Sequence, residues 1–394
     1  MTIIPAFFHA VENWECAVHR VGGLQWLDEP MAKLRVGRAV TPSGTVEEAI
    51  IEITDGGPDD GLWAVPGFVD THCHGAVGVS FGDPDPEANL RAAEYHRSQG
   101  TTTLFASTVT EPLEKLEAQC RVLRGLVEAG ELDGIHLEGP FLSEARKGAH
   151  DAVLLRDPDP GAVERLIAAG GPALRMVTLA VERRGGEAAT RRFTQAGVKV
   201  AFGHSDADEH VTAESIGWGA CIATHLFSAM RSIHHREPGP VPVLLSDERV
   251  MCELICDGIH HRPVIARMAI DAAGLGRICL VTDAMSATGQ GNGRYLLGEL
   301  EVEVQDGTAR LVTADGTPGA IAGSTLTMAE AFKFAVQHVG LSIPEAAQIA
   351  ATTPARWHGL DEVGTLEAGK RADICVVGES GELRQVWRRG ERVA

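Results

Sequence analysis

Through most of the chain, short apolar runs rich in Val, Ile, Leu and Thr alternate with longer segments whose apolar residues recur at helical spacing. The runs are Leu62 to Asp70, Thr101 to Ser107, Gly134 to Glu138, Leu174 to Ala180, Val198 to His204, Ala220 to His225, Met251 to Cys256 and Arg277 to Asp283. They read as parallel strands. Helices are predicted between them, over Pro86 to Ser98, Pro112 to Ala129, Gly186 to Ala196 and Pro263 to Ala273, several with Pro at or near the helix start. This repeated alternation predicts an α/β fold of the (β/α)8 barrel type, with a doubly wound open sheet as the alternative.

Two regions break the alternation. Residues 34–61 are punctuated by Gly and strand-like, and so are residues 369–394. Each is too small to fold alone, so both chain ends are expected to build one small β-domain beside a barrel of residues 62–368. Residues 284–320 hold Gly-rich turns and an expected hairpin, Leu296 to Val304 with Ala309 to Val312, inserted after the eighth run. Residues 1–33 read as an irregular extension in which Met31 is an alternative start.

Composition narrows the possible functions. The 394 residues are 44% hydrophobic and 23% charged, which excludes a disordered or collagen-like chain. Asp plus Glu outnumber Lys plus Arg by 54 to 35, a formal charge of -19, which disfavours a nucleic-acid or anionic-membrane surface. A small anionic substrate held by local cations is compatible with that balance. The eight Cys are scattered without a C-x-x-C pair, a pattern of reduced thiols and a cytoplasmic location. The N-terminus lacks a basic segment before its apolar residues, and no apolar stretch reaches the roughly 18 residues of a membrane span, so neither export nor a membrane partner is expected.

In a barrel of this type, chemistry gathers where the strands end. The first run ends in Asp70-Thr71-His72-Cys73-His74-Gly75, the third in His136-Leu137-Glu138, the fifth in Gly203-His204, the sixth in Thr224-His225 and the eighth in Thr282-Asp283. His72 and His74 share one side of an extended segment, because side chains alternate, and Cys73 points away. Glu138 is either a buried salt-bridge partner or a carboxylate ligand, and His204 and His225 are either satisfied core histidines or imidazole ligands. The joint occurrence on one rim favours a divalent cation, Zn²⁺ first, with Fe²⁺, Mn²⁺ or Co²⁺ as alternatives, in a site open to water. Such an ion lowers the pKa of water from about 15.7 towards roughly 7. Asp283 is then a proton carrier, a further ligand, or a structural partner for a His.

These ordered motifs resemble the amidohydrolase superfamily and, within it, the N-acetylglucosamine-6-phosphate deacetylases. The likeness runs from about residue 36 onward and is carried by Pro66-Gly67-Phe68-Val69-Asp70-Thr71-His72-Cys73-His74-Gly75, His136-Leu137-Glu138-Gly139-Pro140-Phe141, Gly203-His204-Ser205-Asp206-Ala207, Thr224-His225-Leu226-Phe227-Ser228-Ala229-Met230, His235-Arg236-Glu237-Pro238-Gly239, Asp257-Gly258-Ile259-His260 and Val281-Thr282-Asp283-Ala284. The resemblance implies a barrel with a small β-sandwich domain and one or two ions per subunit, the first held by Glu138, His204 and His225, since members that retain H-x-H can carry a second ion at His72 and His74. The fourth run has no Lys to bridge two ions, which leaves Glu138 as the bridging carboxylate.

The same resemblance assigns further roles. His150 polarises the acetyl carbonyl, with Ala149 beside it, and Asp283 carries the proton to the departing amine. Arg236 reaches the sugar phosphate of the neighbouring subunit, which implies a homodimer. Asp257, Gly258, Ile259 and His260 fall at the sugar-phosphate pocket, and Ile321, Ala322, Gly323 and Ser324 form a small-residue substrate loop. Where the family usually has Asn followed by Ala, this chain has Ser228 and Ala229. Ser keeps one donor but loses the reach of the amide. The implied reaction is hydrolysis of N-acetylglucosamine 6-phosphate to glucosamine 6-phosphate and acetate. The alternatives are another amidohydrolase acting on a different N-acyl sugar phosphate or a cyclic amide, and a non-catalytic metal-binding homologue.

Overall fold

In the computed structural model, which describes residues 3–4, 33–42, 44–52, 59–313 and 316–394, eight parallel strands are paired in chain order: β1 (Phe68–Cys73), β2 (Thr101–Thr108), β3 (Gly134–Glu138), β4 (Leu174–Leu179), β5 (Lys199–Phe202), β6 (Ala220–Ala223), β7 (Met251–Leu254) and β8 (Ile278–Leu280). The ring closes between its first and last members. Just beyond β8, the Asp283 N–H donates to His72 O at 2.8 Å, and the His74 N–H donates to Ala284 O at 2.7 Å. The Thr282 hydroxyl adds a bond to Asp70 Oδ2 at 2.6 Å. The open-sheet alternative is therefore excluded.

Each strand is followed by a helix: α1 (Pro86–Ser98), α2 (Leu113–Glu128), α3 (Pro160–Gly170), α4 (Gly186–Gln195), α5 (Glu209–Trp218), α6 (Pro240–Ser246), α7 (Pro263–Ala273) and, after an insert, α8 (Met328–Phe334). Local sequence sets several starts. Asp85, Asp159 and Asp208 accept from the first free N–H groups of α1, α3 and α5, and Thr327 with Glu330 forms a reciprocal cap on α8. Among the described residues, no helix is long and apolar enough to cross a membrane.

Two expectations from the sequence are corrected. The run Leu62 to Asp70 is not one strand, because the chain passes at Gly67 from a strand over Asp59–Pro66 into β1. A side chain at Gly67 would sit 2.2 Å from Thr102 Oγ1, so glycine alone permits this close crossing. The insert is likewise more than a hairpin. It is a four-stranded antiparallel sheet of Gly293–Leu297, Leu300–Gln305, Thr308–Val312 and Pro318–Ile321, with a turn at Gly298-Glu299 inside what reads as a single strand.

The chain ends meet in one seven-stranded sheet, ordered Ile3–Ile4, Gly44–Glu52, Lys33–Thr41, Asp59–Pro66, Ile374–Val377, Leu383–Arg388 and Glu391–Arg392. The strand Asp59–Pro66 pairs antiparallel with Ile374–Val377, which joins the two termini. This is the small β-domain built from both ends. The expected irregular extension over residues 1–33 lies, apart from Ile3, Ile4 and Lys33, outside the described residues.

Candidate active site

At the rim where the strands end, the chain makes several sharp turns. β5, β6 and β8 stop before His204, His225 and Asp283, and these three residues adopt positive φ values of 47°, 27° and 49°. Such backbone is costly for residues other than glycine and gathers at functional sites. Here it turns three polar side chains inward over the barrel mouth, where they meet His72 and His74 from the end of β1 and Glu138 from the end of β3.

The convergence is tight. Glu138 Oε1 lies 3.2 Å from His204 Nε2, 3.1 Å from His225 Nε2 and 3.5 Å from His72 Nε2, while its Oε2 lies 3.3 Å from both His74 and His150 Nε2. Asp283 Oδ1 is 3.4 Å from His72 Nε2 and 3.2 Å from His74 Nε2. Ligand atoms of His72, His74 and Asp283 lie within 4.8 Å of one another, as do those of Glu138, His150 and His204. Burial pushes the Glu138 and Asp283 carboxyls up, but the surrounding imidazoles outweigh it and hold both below the usual carboxylate range.

Tautomer logic tests whether this donor set suits a cation. His204 Nδ1 donates to Arg146 O at 2.9 Å and His72 Nδ1 donates to Glu253 Oε2 at 3.0 Å, so each ring, when neutral, presents a bare lone pair at Nε2. These lone pairs face His225 Nε2 at 3.0 Å and His74 Nε2 at 3.1 Å. Two such lone pairs, each about 3 Å from a further imidazole nitrogen and beside two ionised carboxylates nearly excluded from water, form an arrangement that a divalent cation stabilises. Cys73 takes no part. Its sulfur lies 3.1 Å from His96 Nε2, a ring that also donates to Gly75 O at 2.9 Å.

The cluster opens into a cavity of about 290 Å³ lined by His74, Glu138, Gly148, Ala149, His150, His204, His225, Ser228, Ala229, His260, Asp283, Leu297, Ala320, Ile321 and Gly323. His150 Nδ1 accepts from the Thr110 N–H at 3.3 Å, which leaves its proton on Nε2, and burial lowers its pKa to about 4. His260 behaves oppositely. Burial alone would lower its pKa, but Asp257 Oδ2 at 2.6 Å from Nδ1 raises it above the ordinary value, favouring a cationic ring on the cavity wall.

Other residues singled out in the sequence lie behind the wall or away from it. Asp257 Oδ1 accepts from the N–H groups of Ile259 and His260, so its carboxylate orients the histidine rather than lining the cavity. Gly258 packs near Phe334, and Ile259 is exposed. Ala322 is buried in the apolar core of the insert. Ser324 bonds the Thr282 and Asp283 backbone through its hydroxyl and its N–H, which fixes the turn that carries the Asp283 carboxylate. Arg236 stands on the exposed loop after β6, with His235 Nε2 2.8 Å away, and does not line this cavity.

Sequence reasoning missed Glu253. It is fully buried on β7, and Oε2 accepts from both the His72 ring and the His225 N–H. The signal was a lone carboxylate in the apolar stretch Met251-Cys252-Glu253-Leu254.

The chain matches the Amidohydrolase family over residues 63–393. It is similar to N-acetylglucosamine-6-phosphate deacetylase of Bos taurus, with 37% identity over 347 residues covering 84% of each chain. It is also similar to N-acetylgalactosamine-6-phosphate deacetylase of Escherichia coli O157:H7, with 34% identity over 371 residues covering 93% of this chain and 95% of that one. Among solved structures, a mutant N-acetyl-D-glucosamine-6-phosphate deacetylase from Mycobacterium smegmatis, in complex with N-acetyl-D-glucosamine-6-phosphate, superposes with a TM-score of 0.88. Its sequence identity is 41%, over 92% of this chain and 99% of that one.

Proposed function

The chain belongs to the Amidohydrolase family, and from that premise we propose that it hydrolyses the N-acetyl group of N-acetylglucosamine 6-phosphate, releasing glucosamine 6-phosphate and acetate. The observation that carries this reading is the placement of a proton donor, His150, and an ionised carboxylate, Asp283, on one cavity with the imidazole and carboxylate cluster.

In this reading Glu138, His204 and His225 would hold one divalent cation, and His72 and His74 would hold a second. Imidazole and carboxylate donors without thiolate suit Zn²⁺ first, and Fe²⁺, Mn²⁺ or Co²⁺ as alternatives. A cation held there would supply Lewis acidity towards the acetyl carbonyl and would lower the pKa of water. Asp283 takes up the proton of the attacking water and returns it to the amine nitrogen as the amide bond breaks. His150, protonated on Nε2, donates to the carbonyl oxygen as negative charge develops there. The Asp257 carboxylate 2.6 Å from His260 Nδ1 raises the pKa of that ring, which favours positive charge on the wall for an anionic substrate.

Arg236 supplies the remaining cation from a neighbouring subunit of a homodimer. Its exposed position outside its own cavity supports a role across an interface. The loops after β6 and β7 and the helix α7 also expose Ile233, Ile259, Val264 and Met268, apolar side chains that a second copy would cover. The seven cysteines among the described residues are free thiols, which suits the reducing cytoplasm.

A second reading is favoured by one observation. Ser228 stands where the family usually has Asn, in a chain that is also 34% identical to a relative named for N-acetylgalactosamine 6-phosphate. The test is acetate release from the two epimeric sugar phosphates and their dephosphorylated forms by metal-loaded protein. Higher kcat/KM for the gluco epimer supports the first reading, and higher kcat/KM for the galacto epimer supports the second. Release from neither rejects both.

A further inference from the structure

We infer that Glu253 is a positioning residue that aligns the His72 ring for the candidate cation position it shares with His74. The inference rests on the two-ion reading above.

A carboxylate on a strand buried inside a barrel is expensive unless its charge and lone pairs are met. Glu253 is 0% exposed, and no Lys or Arg pairs with it among the described residues. Its Oε2 instead receives two donors, His72 Nδ1 at 3.0 Å and the His225 backbone N–H at 3.1 Å. The next residues of the β6 end are tied to the same point of β7, since the Leu226 N–H donates to Glu253 O at 2.9 Å.

The two bonds reach different halves of the cluster. His72 belongs with His74 and Asp283, whereas His225 shares Glu138 Oε1 with His204. One oxygen therefore sets the orientation and tautomer of a ring in the first half and anchors the strained backbone of a ring in the second. The opposite wall of His72 is fixed too, because the His136 ring packs against it edge to face at 4.5 Å and is itself held by Ser107 Oγ and Thr178 Oγ1. His72 is thus fully buried between the Glu253 carboxylate and the His136 ring. With Glu138 and Asp283, Glu253 brings a third carboxylate to the buried cluster, which favours two divalent cations over one.

The experiment is a titration of metal-free protein with Zn²⁺ and, separately, Co²⁺, with stoichiometry and both dissociation constants read by calorimetry and the Co²⁺ visible spectrum recorded. Wild type, Glu253→Gln and Glu253→Asp are compared. Gln keeps the shape but loses the charge, and Asp keeps the charge but loses the reach. In both variants one ion is expected to bind about 10- to 100-fold more weakly, with the Co²⁺ band of that site changed, while the melting temperature of the metal-free protein stays near wild type. Two ions bound with wild-type affinity by both variants would overturn the assignment of Glu253. A variant that lowers the metal-free melting temperature and both affinities together would reduce Glu253 to a folding role and also overturn it. A wild type that takes up fewer than two ions contradicts the two-ion reading itself, and the proposal falls with it.

Discussion

The Asp283 N–H donates to His72 O at 2.8 Å, and the side chains of the same two residues meet at 3.4 Å between Oδ1 and Nε2. The bond that closes the barrel thus also fixes the distance between a candidate proton carrier and a candidate ligand. Chemistry at this seam does not depend on a mobile loop to place its carboxylate.

Asp283→Asn keeps the shape and the backbone bond but cannot take up and return a proton. Turnover is expected to fall about 10²-fold or more, with metal content unchanged. Steady-state kinetics with parallel metal analysis check this, and near wild-type turnover would remove Asp283 from the mechanism.

Glu138→Ala, His204→Ala and His225→Ala each delete a donor from the point where Oε1 meets two rings at 3.2 and 3.1 Å. Each purified variant is expected to hold less metal than wild type and to lose activity in step. Wild-type metal content in all three would place the ion elsewhere.

Most of the architecture was legible in the chain because strand and helix periods differ and α1 and α7 carry their own starts. The site was legible to the extent that its residues end strands, as Glu138 does. Glu253 escaped because a single acidic residue inside an apolar run carries no sign of the ring that it will meet from β1, 181 positions away. His150 and His260 stood out only through the family resemblance, since they sit on loops whose course is set by tertiary packing. Gly67 concealed a boundary for a similar reason: the need for glycine comes from Thr102 on a neighbouring strand, not from a local turn signal.

Arg236→Ala is expected to raise KM strongly for a phosphorylated substrate and little for its dephosphorylated analogue, because only the former offers the anion. Mixing this variant with Asp283→Asn chains places both intact residues at one site of each mixed dimer if Arg236 acts across the interface. Recovery of activity is therefore expected after subunit exchange. If exchange is verified and nothing recovers, the shared site is wrong.

His358 is buried against the Phe105 ring at 5.0 Å, and burial lowers its pKa from 6.5 to about 3. The unfolded chain binds this proton below about pH 6.5 and the folded chain does not until about pH 3, so stability falls as pH drops through that window. Between pH 7.5 and 5 this residue alone accounts for about 2 kcal/mol. His358→Leu is expected to show a smaller drop in melting temperature than wild type over the same interval. Parallel pH dependences would exclude His358 as a source of acid sensitivity.

The central claim is metal-dependent cleavage of an N-acetyl amino-sugar phosphate in the cavity above Glu138. Its most direct test follows N-acetylglucosamine 6-phosphate by proton NMR with chelated protein and with the same protein after a divalent cation is restored. The account predicts equal amounts of acetate and glucosamine 6-phosphate from the reconstituted protein and almost none from the chelated one. Equal rates with and without the cation, or no acetate from either, would contradict it.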